Sequence, residues 1–130
     1  MASTTISTIS ALGGKLVVDL AVGSNDQTVN NNATAATSGS IYLVEIDNPN
    51  STSFFLKIRD NASATPSTSA ANGAGTPNLM LYCPARQNVS YAIPGGFAYS
   101  AGVSFWGTTS ATVGTVTAPT NSVVVKLVCS

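Results

Sequence analysis

The chain has 130 residues, enough for one domain, since a second hydrophobic core needs roughly 100 more. Five basic and five acidic residues leave a formal net charge of zero, which excludes the concentrated Lys/Arg surplus that nucleic-acid phosphates demand. Hydrophobic types reach 44%, too many for a disordered chain, and no apolar run approaches the roughly 20 residues that cross a bilayer, so an integral membrane protein is excluded too.

The opening MASTTISTIS has neither the basic start nor the apolar centre of a secretory leader, so the expectation is a protein made in a cytoplasm. Residues 1–13 read in two ways: an arm that adds a strand to a neighbouring subunit, or the first strand of the same subunit. Clear period-two alternation begins at 14–22 (GKLVVDLAV), which sets Leu16, Val18, Leu20 and Val22 on one face. The polar stretch 26–37 reads as an edge strand or a long loop. In 41–47 (IYLVEID), Tyr42, Val44 and Ile46 alternate with Ile41, Leu43 and Glu45. In 53–60 (SFFLKIRD), Phe54, Leu56 and Ile58 oppose Phe55, Lys57 and Arg59. Residues 61–77 are built from Ala, Ser, Thr, Asn, Gly and Pro, bury little apolar surface and read as a surface loop. Further strands are expected at 78–83, 87–93, 97–106 and 121–129, with PGG and TAPTN as breakers between them. No window shows helical spacing with caps. The expectation is an all-β chain: a single antiparallel β-sandwich of seven or eight strands over 1–130, jelly-roll-like.

The absences narrow the chemistry. There is no histidine, the commonest general base and metal ligand, and the only carboxylates are Asp19, Asp26, Glu45, Asp47 and Asp60. Seventeen serines carry no G-x-S-x-G elbow, and a lysine base would have to be Lys15, Lys57 or Lys126, all expected at outward strand positions among ordinary polar neighbours. The reading is therefore non-enzymatic, with no catalytic residue, cofactor or metal. Glu45, Asp47, Asn48 and Asn50 bring oxygen ligands together, but without EF-hand spacing they read as a turn rather than a calcium site. Four Asn-x-Ser/Thr triplets, at Asn32, Asn50, Asn61 and Asn88, are about as many as chance supplies.

Cys83 and Cys129 fall on the apolar sides of their strands, too far apart in sequence for a redox or zinc motif. They are either a disulfide, worth about 3–4 kcal/mol in the loop-entropy model, or two buried thiols, the form that a cytoplasmic origin favours. Phe55, Tyr82, Tyr99 and Trp106 lie opposite the best apolar faces and are candidate interface residues, although period two alone does not say which face meets solvent.

Three segments carry a resemblance: DNPNSTSFFLKIRDNASATP, GTPNLMLYCPA and YAIPGGFAYSAGVSF. Together they resemble a class of small structural proteins of tailed bacteriophages. That class has an asparagine-rich turn before an "aromatic-Leu-Lys-Ile" strand, matched by Asn48 to Asp60. A Gly/Pro-rich loop and a strand ending in Pro-Ala follow, matched by Gly75 to Ala85, then a Pro-Gly-Gly-Phe turn, matched by Pro94 to Gly102. The closing TNSVVVKLV is similar to the last strand of that class. The likeness covers roughly 47–107, about half the chain, and brings no catalytic residue. Tyr82-Cys83 departs from the plain aliphatics usual at that place, which concerns packing alone.

The resemblance implies a virion protein of the capsid decoration or cement type, a β-sandwich placed as a homotrimer on the capsid surface and bound to the major capsid protein. A neutral Ser/Thr/Asn-rich surface suits such a role, because many weak copies act together on a lattice. The alternative is a receptor- or glycan-binding head fibre, knob or tail-associated module using outward aromatics. A fimbrial or surface-layer subunit is a third reading and requires secretion.

Overall fold

A computed structural model of the protein describes residues 4–9, 14–22, 38–60, 76–112 and 117–130. These form eight strands and no helix: β1 (Thr4–Ile9), β2 (Gly14–Val22), β3 (Gly39–Asn48), β4 (Phe54–Asp60), β5 (Leu79–Cys83), β6 (Gln87–Tyr99), β7 (Val103–Thr108) and β8 (Val123–Cys129). They pair into two antiparallel sheets, one in the order β1-β2-β8-β3-β6 and the other in the order β5-β4-β7. The expectations at 26–37 and 61–75 lie outside the described residues.

Alternation decides which face goes inside. From the first sheet Ile41, Val44, Ile46, Val123, Val125 and Leu127 are buried, and from the second Phe54, Leu56, Ile58, Val103 and Phe105. All belong to one apolar cluster, so the two sheets share a core. Packing there is close enough to specify residue type. A methyl group on Gly107 would stand 1.9 Å from the Phe54 ring, so that ring occupies the space a side chain would need.

Three features depart from simple alternation. First, β3 is irregular between Ile41 and Leu43, so Ile41 and Val44 are both buried while Tyr42 and Leu43 both face out. Second, β6 runs unbroken through Pro94-Gly95-Gly96, where the sequence predicts a break. Ile41 pairs with Phe97 and Leu43 with Ala92, so the extra residues form a wide bulge rather than a turn. Gly95 and Gly96 adopt φ of 78° and 81°, a region that glycine enters without a Cβ penalty. The true turn lies at 100–102, so the strand expected over 97–106 is divided between β6 and β7. Third, the ladder of β2 with β8 shifts between Asp19 and Val22. Leu16 and Val18 therefore share the outer face with Val128 and Lys126, whereas Val22 is buried; the single apolar face expected for 14–22 does not form.

β1 pairs with β2 of its own chain from Thr4↔Asp19 to Ile9↔Gly14. Within the single chain, then, residues 4–9 add an edge strand to the first sheet.

Candidate functional site

Three polar assemblies hold the loops at the sheet ends. Asn48, at the end of β3, donates through Nδ2 to the carbonyls of Thr52 (2.9 Å) and Pro84 (3.1 Å). Its Oδ1 accepts from the backbone N–H and the side-chain amide of Asn50, each at 3.0 Å. Asn50 then exchanges two bonds with the backbone of Asn121, accepting at 2.7 Å and donating at 3.0 Å. Its carbonyl also accepts from the Arg86 N–H at 2.9 Å. Both asparagines are buried, so the EIDNPN segment is a turn whose amides latch three loops together. Asn50 is consumed by this latch; Asn88 is exposed, and Asn32 and Asn61 lie outside the described residues.

Asp60 performs the second task. Its carboxylate accepts from the N–H groups of Ser100, Ala101 and Gly102 at 2.8–3.3 Å and from the Ser100 hydroxyl at 3.2 Å. Loss of solvent pushes this carboxyl up, but the three N–H bonds and the hydroxyl outweigh it and hold the group below its ordinary value. Asp60 is a turn cap, its carboxylate engaged by three N–H groups and one hydroxyl.

Lys57 is the third. It sits on the outer face of β4, as the alternation predicts, but it is fully buried rather than set among solvated polar groups. Its Nζ donates to the Thr112 carbonyl at 3.0 Å, and burial lowers its pKa. On the same face, Arg59 donates to the Thr76 carbonyl at 2.6 Å while its Nε is buried with no partner among the described residues. Lys126 forms an ion pair with Glu45 at 3.6 Å on the outer face of the first sheet. No group of three or more His, Cys, Asp or Glu able to hold a metal ion occurs among the described residues.

No disulfide joins Cys83 to Cys129; both are buried thiols. Cys129 pairs with Ile41 near one end of β3, while Cys83 Sγ is 3.8 Å from the Ile46 carbonyl, five residues along. At about 3.4 Å per residue that is a separation of roughly 17 Å, well beyond the ~7 Å limit for the Cα atoms of a disulfide. Burial pushes the Cys83 thiol up, the Asp47 carboxylate adds to this, and a backbone hydrogen bond at Asn48 opposes it.

The four candidate interface aromatics divide. Tyr99 (4% exposed) belongs to the core, with its hydroxyl donating to the Ser130 carbonyl at 3.0 Å. Trp106 (2% exposed) lies on the outer face opposite Lys57 but is covered. Neither is an accessible contact residue. Phe55 and Tyr82 are direct cross-strand partners with ring centroids 5.3 Å apart and planes tilted by 44°. Tyr82 is 45% exposed, and its hydroxyl lies 3.3 Å from the Ser53 hydroxyl. Its carbonyl accepts from the Tyr91 hydroxyl, which ties β5 to β6. This pair forms an aromatic surface at the β5 edge of the second sheet, with Tyr82 exposed and Phe55 half-buried. Sequence reasoning missed a second outward apolar surface, on the first sheet, where Tyr42 and Leu43 are 44% and 38% exposed. The signal for it was present in β8, where Val124 and Val128 flank Lys126 on the parity opposite the buried Val123, Val125 and Leu127.

Comparison with protein-family models, curated proteins and solved structures finds no match for this chain.

Proposed function

We propose that the chain is a non-enzymatic virion structural protein, a capsid decoration or cement protein that sits on the capsid surface and stabilises the major capsid protein lattice. In this reading the two sheets form a jelly-roll-like β-sandwich, made in the host cytoplasm and assembled onto the particle as a homotrimer. The observation that carries it is the Phe55–Tyr82 pair, an exposed Tyr82 ring against a half-buried Phe55, with the Tyr82 hydroxyl beside that of Ser53 and its backbone carbonyl bonded to Tyr91. Aromatic rings of this kind supply contact area at low entropic cost and are enriched where protein surfaces meet. The phage-like segments 47–107 support the same reading, because the aromatic pair and the latched turns both fall inside them. Loops pinned by Asn48, Asn50 and Asp60 suit a part that must present one surface many times over, since each weak contact gains from the multiplicity of the lattice.

Deleting the gene tests the proposal. Particles without the protein are expected to assemble but to lose resistance to heat and to chelators; particles of unchanged robustness contradict it. Hits on a glycan array with the purified chain would instead favour a receptor-binding fibre or knob, with Tyr82 as the stacking residue.

A further inference from the structure

The outer face of the five-stranded sheet has a composition that an always-solvated face would not need. Cross-strand pairs place side chains directly beside one another, so the ladder reads as rows. One row runs Leu16–Val128–Leu43–Ala92 across β2, β8, β3 and β6. The next runs Val18–Lys126–Glu45–Ser90 over the same strands. Leu43, Ala92, Ser90 and Lys126 are exposed, and Leu16, Val18, Val128 and Glu45 are half-buried, as expected for an open sheet face. The central strand β8 thus carries valines on both sides, the pattern of a strand covered on both.

Both rows are self-complementary. Take a two-fold axis lying in the face, parallel to the strands and midway between β3 and β8. It sets β3 of one copy over β8 of the other and β2 over β6, because the sheet order through these strands is β2-β8-β3-β6. Leu43 then meets Val128 of the second copy, and Leu16 meets Ala92. Glu45 meets Lys126 and Lys126 meets Glu45, so the ion pair already present within each copy becomes an alternating square of four charges. The match follows from register: in each row the residue on β3 and the residue on β8 are already suited to one another. In the third row Asp47 would face Val124, and that row lies at the rim, where the carboxylate stays solvated.

We infer that this face, centred on Leu43, Glu45, Lys126 and Val128, is an isologous interface at which two copies of the chain stack sheet on sheet. The contact is distinct from the Phe55–Tyr82 surface, so the two can be filled at once, and it is independent of any trimeric contact.

Charge reversal in two complementary variants tests this, with molar mass measured by sedimentation equilibrium. The wild type is expected at twice the mass of its Glu45→Lys and Lys126→Glu variants, since each reversal sets four like charges together. An equimolar mixture of the two variants is expected to recover the wild-type mass. In that mixed pair the two cations of the Glu45→Lys chain face the two carboxylates of the Lys126→Glu chain. Recovery on mixing also shows that both variants are folded. A wild-type chain that is monomeric at every concentration overturns the inference. So does a mass that neither reversal changes, or a mixture that fails to recover. Failure here leaves the decoration reading standing, since capsid attachment is assigned to the other sheet.

Discussion

Lys57 is a cation taken out of water, with one backbone acceptor and no carboxylate partner among the described residues. Such a group is held in place by its surroundings rather than stabilising them. Lys57→Met keeps the length of the side chain and removes the charge, and it is expected to raise stability by about 1 kcal/mol in urea unfolding at neutral pH. Because burial depresses its pKa, the unfolded chain binds this proton more tightly than the folded one. Wild-type stability should therefore climb as pH rises from the depressed value toward 10.5, and the gap to Lys57→Met should close over that window. Asp60 has the opposite sign. Its folded carboxyl is held below the ordinary value of 3.8, so its contribution is complete above that pH and disappears as pH falls through the folded value. Asp60→Asn should cost about 1 kcal/mol at pH 7, modest because solvent screens the group, and should flatten the acid limb of the stability profile measured by denaturant titration. Little of this was visible in the sequence. Lys57 and Arg59 read as ordinary outward residues, because alternation gives the face of a side chain and says nothing of what lies over that face.

At the scale of elements, strands with uninterrupted alternation were readable: β4, β5 and β8 fall within the expected ranges 53–60, 78–83 and 121–129. The bulges were not. Pro94-Gly95-Gly96 has the composition of a turn, and only its pairing with β3 shows that a strand can pass through it when two successive glycines take positive φ. The same limit applies to 14–22, where one register shift moves Val22 to the core while Leu16 and Val18 stay outside. The asparagine latch was legible as a turn but not as a tie between three loops, since its partners lie 36 and 71 residues away. Asn50→Ala strands the Asn121 N–H and carbonyl and leaves the Asn48 Oδ1 with only the backbone N–H of residue 50. It is expected to cost about 2–3 kcal/mol and to raise amide hydrogen exchange at Asn121 and Arg86 ahead of the strands. Exchange rising uniformly across the chain would show that the latch acts on global stability alone.

For the molecule as a whole, the all-β class and the placing of Phe54, Leu56 and Ile58 in the interior follow from the period-two pattern, and the structure puts these residues in a core shared by two antiparallel sheets. The surfaces were harder to read. Of the four aromatics opposite the apolar faces, Phe55 and Tyr82 stay accessible, while Tyr99 and Trp106 are buried by contacts that no local pattern encodes. The proposed function uses that difference: it assigns attachment to the Phe55–Tyr82 surface and leaves the outer face of the first sheet to the proposed second copy. The most direct test is co-sedimentation of the purified chain with phage particles lacking it. The account predicts saturable binding by the wild type and by Trp106→Phe, with binding by the Phe55→Ser/Tyr82→Ser variant weakened at least tenfold, about 1.4 kcal/mol or more. A wild-type chain that stays in the supernatant, or a double variant that binds as tightly as the wild type, contradicts it.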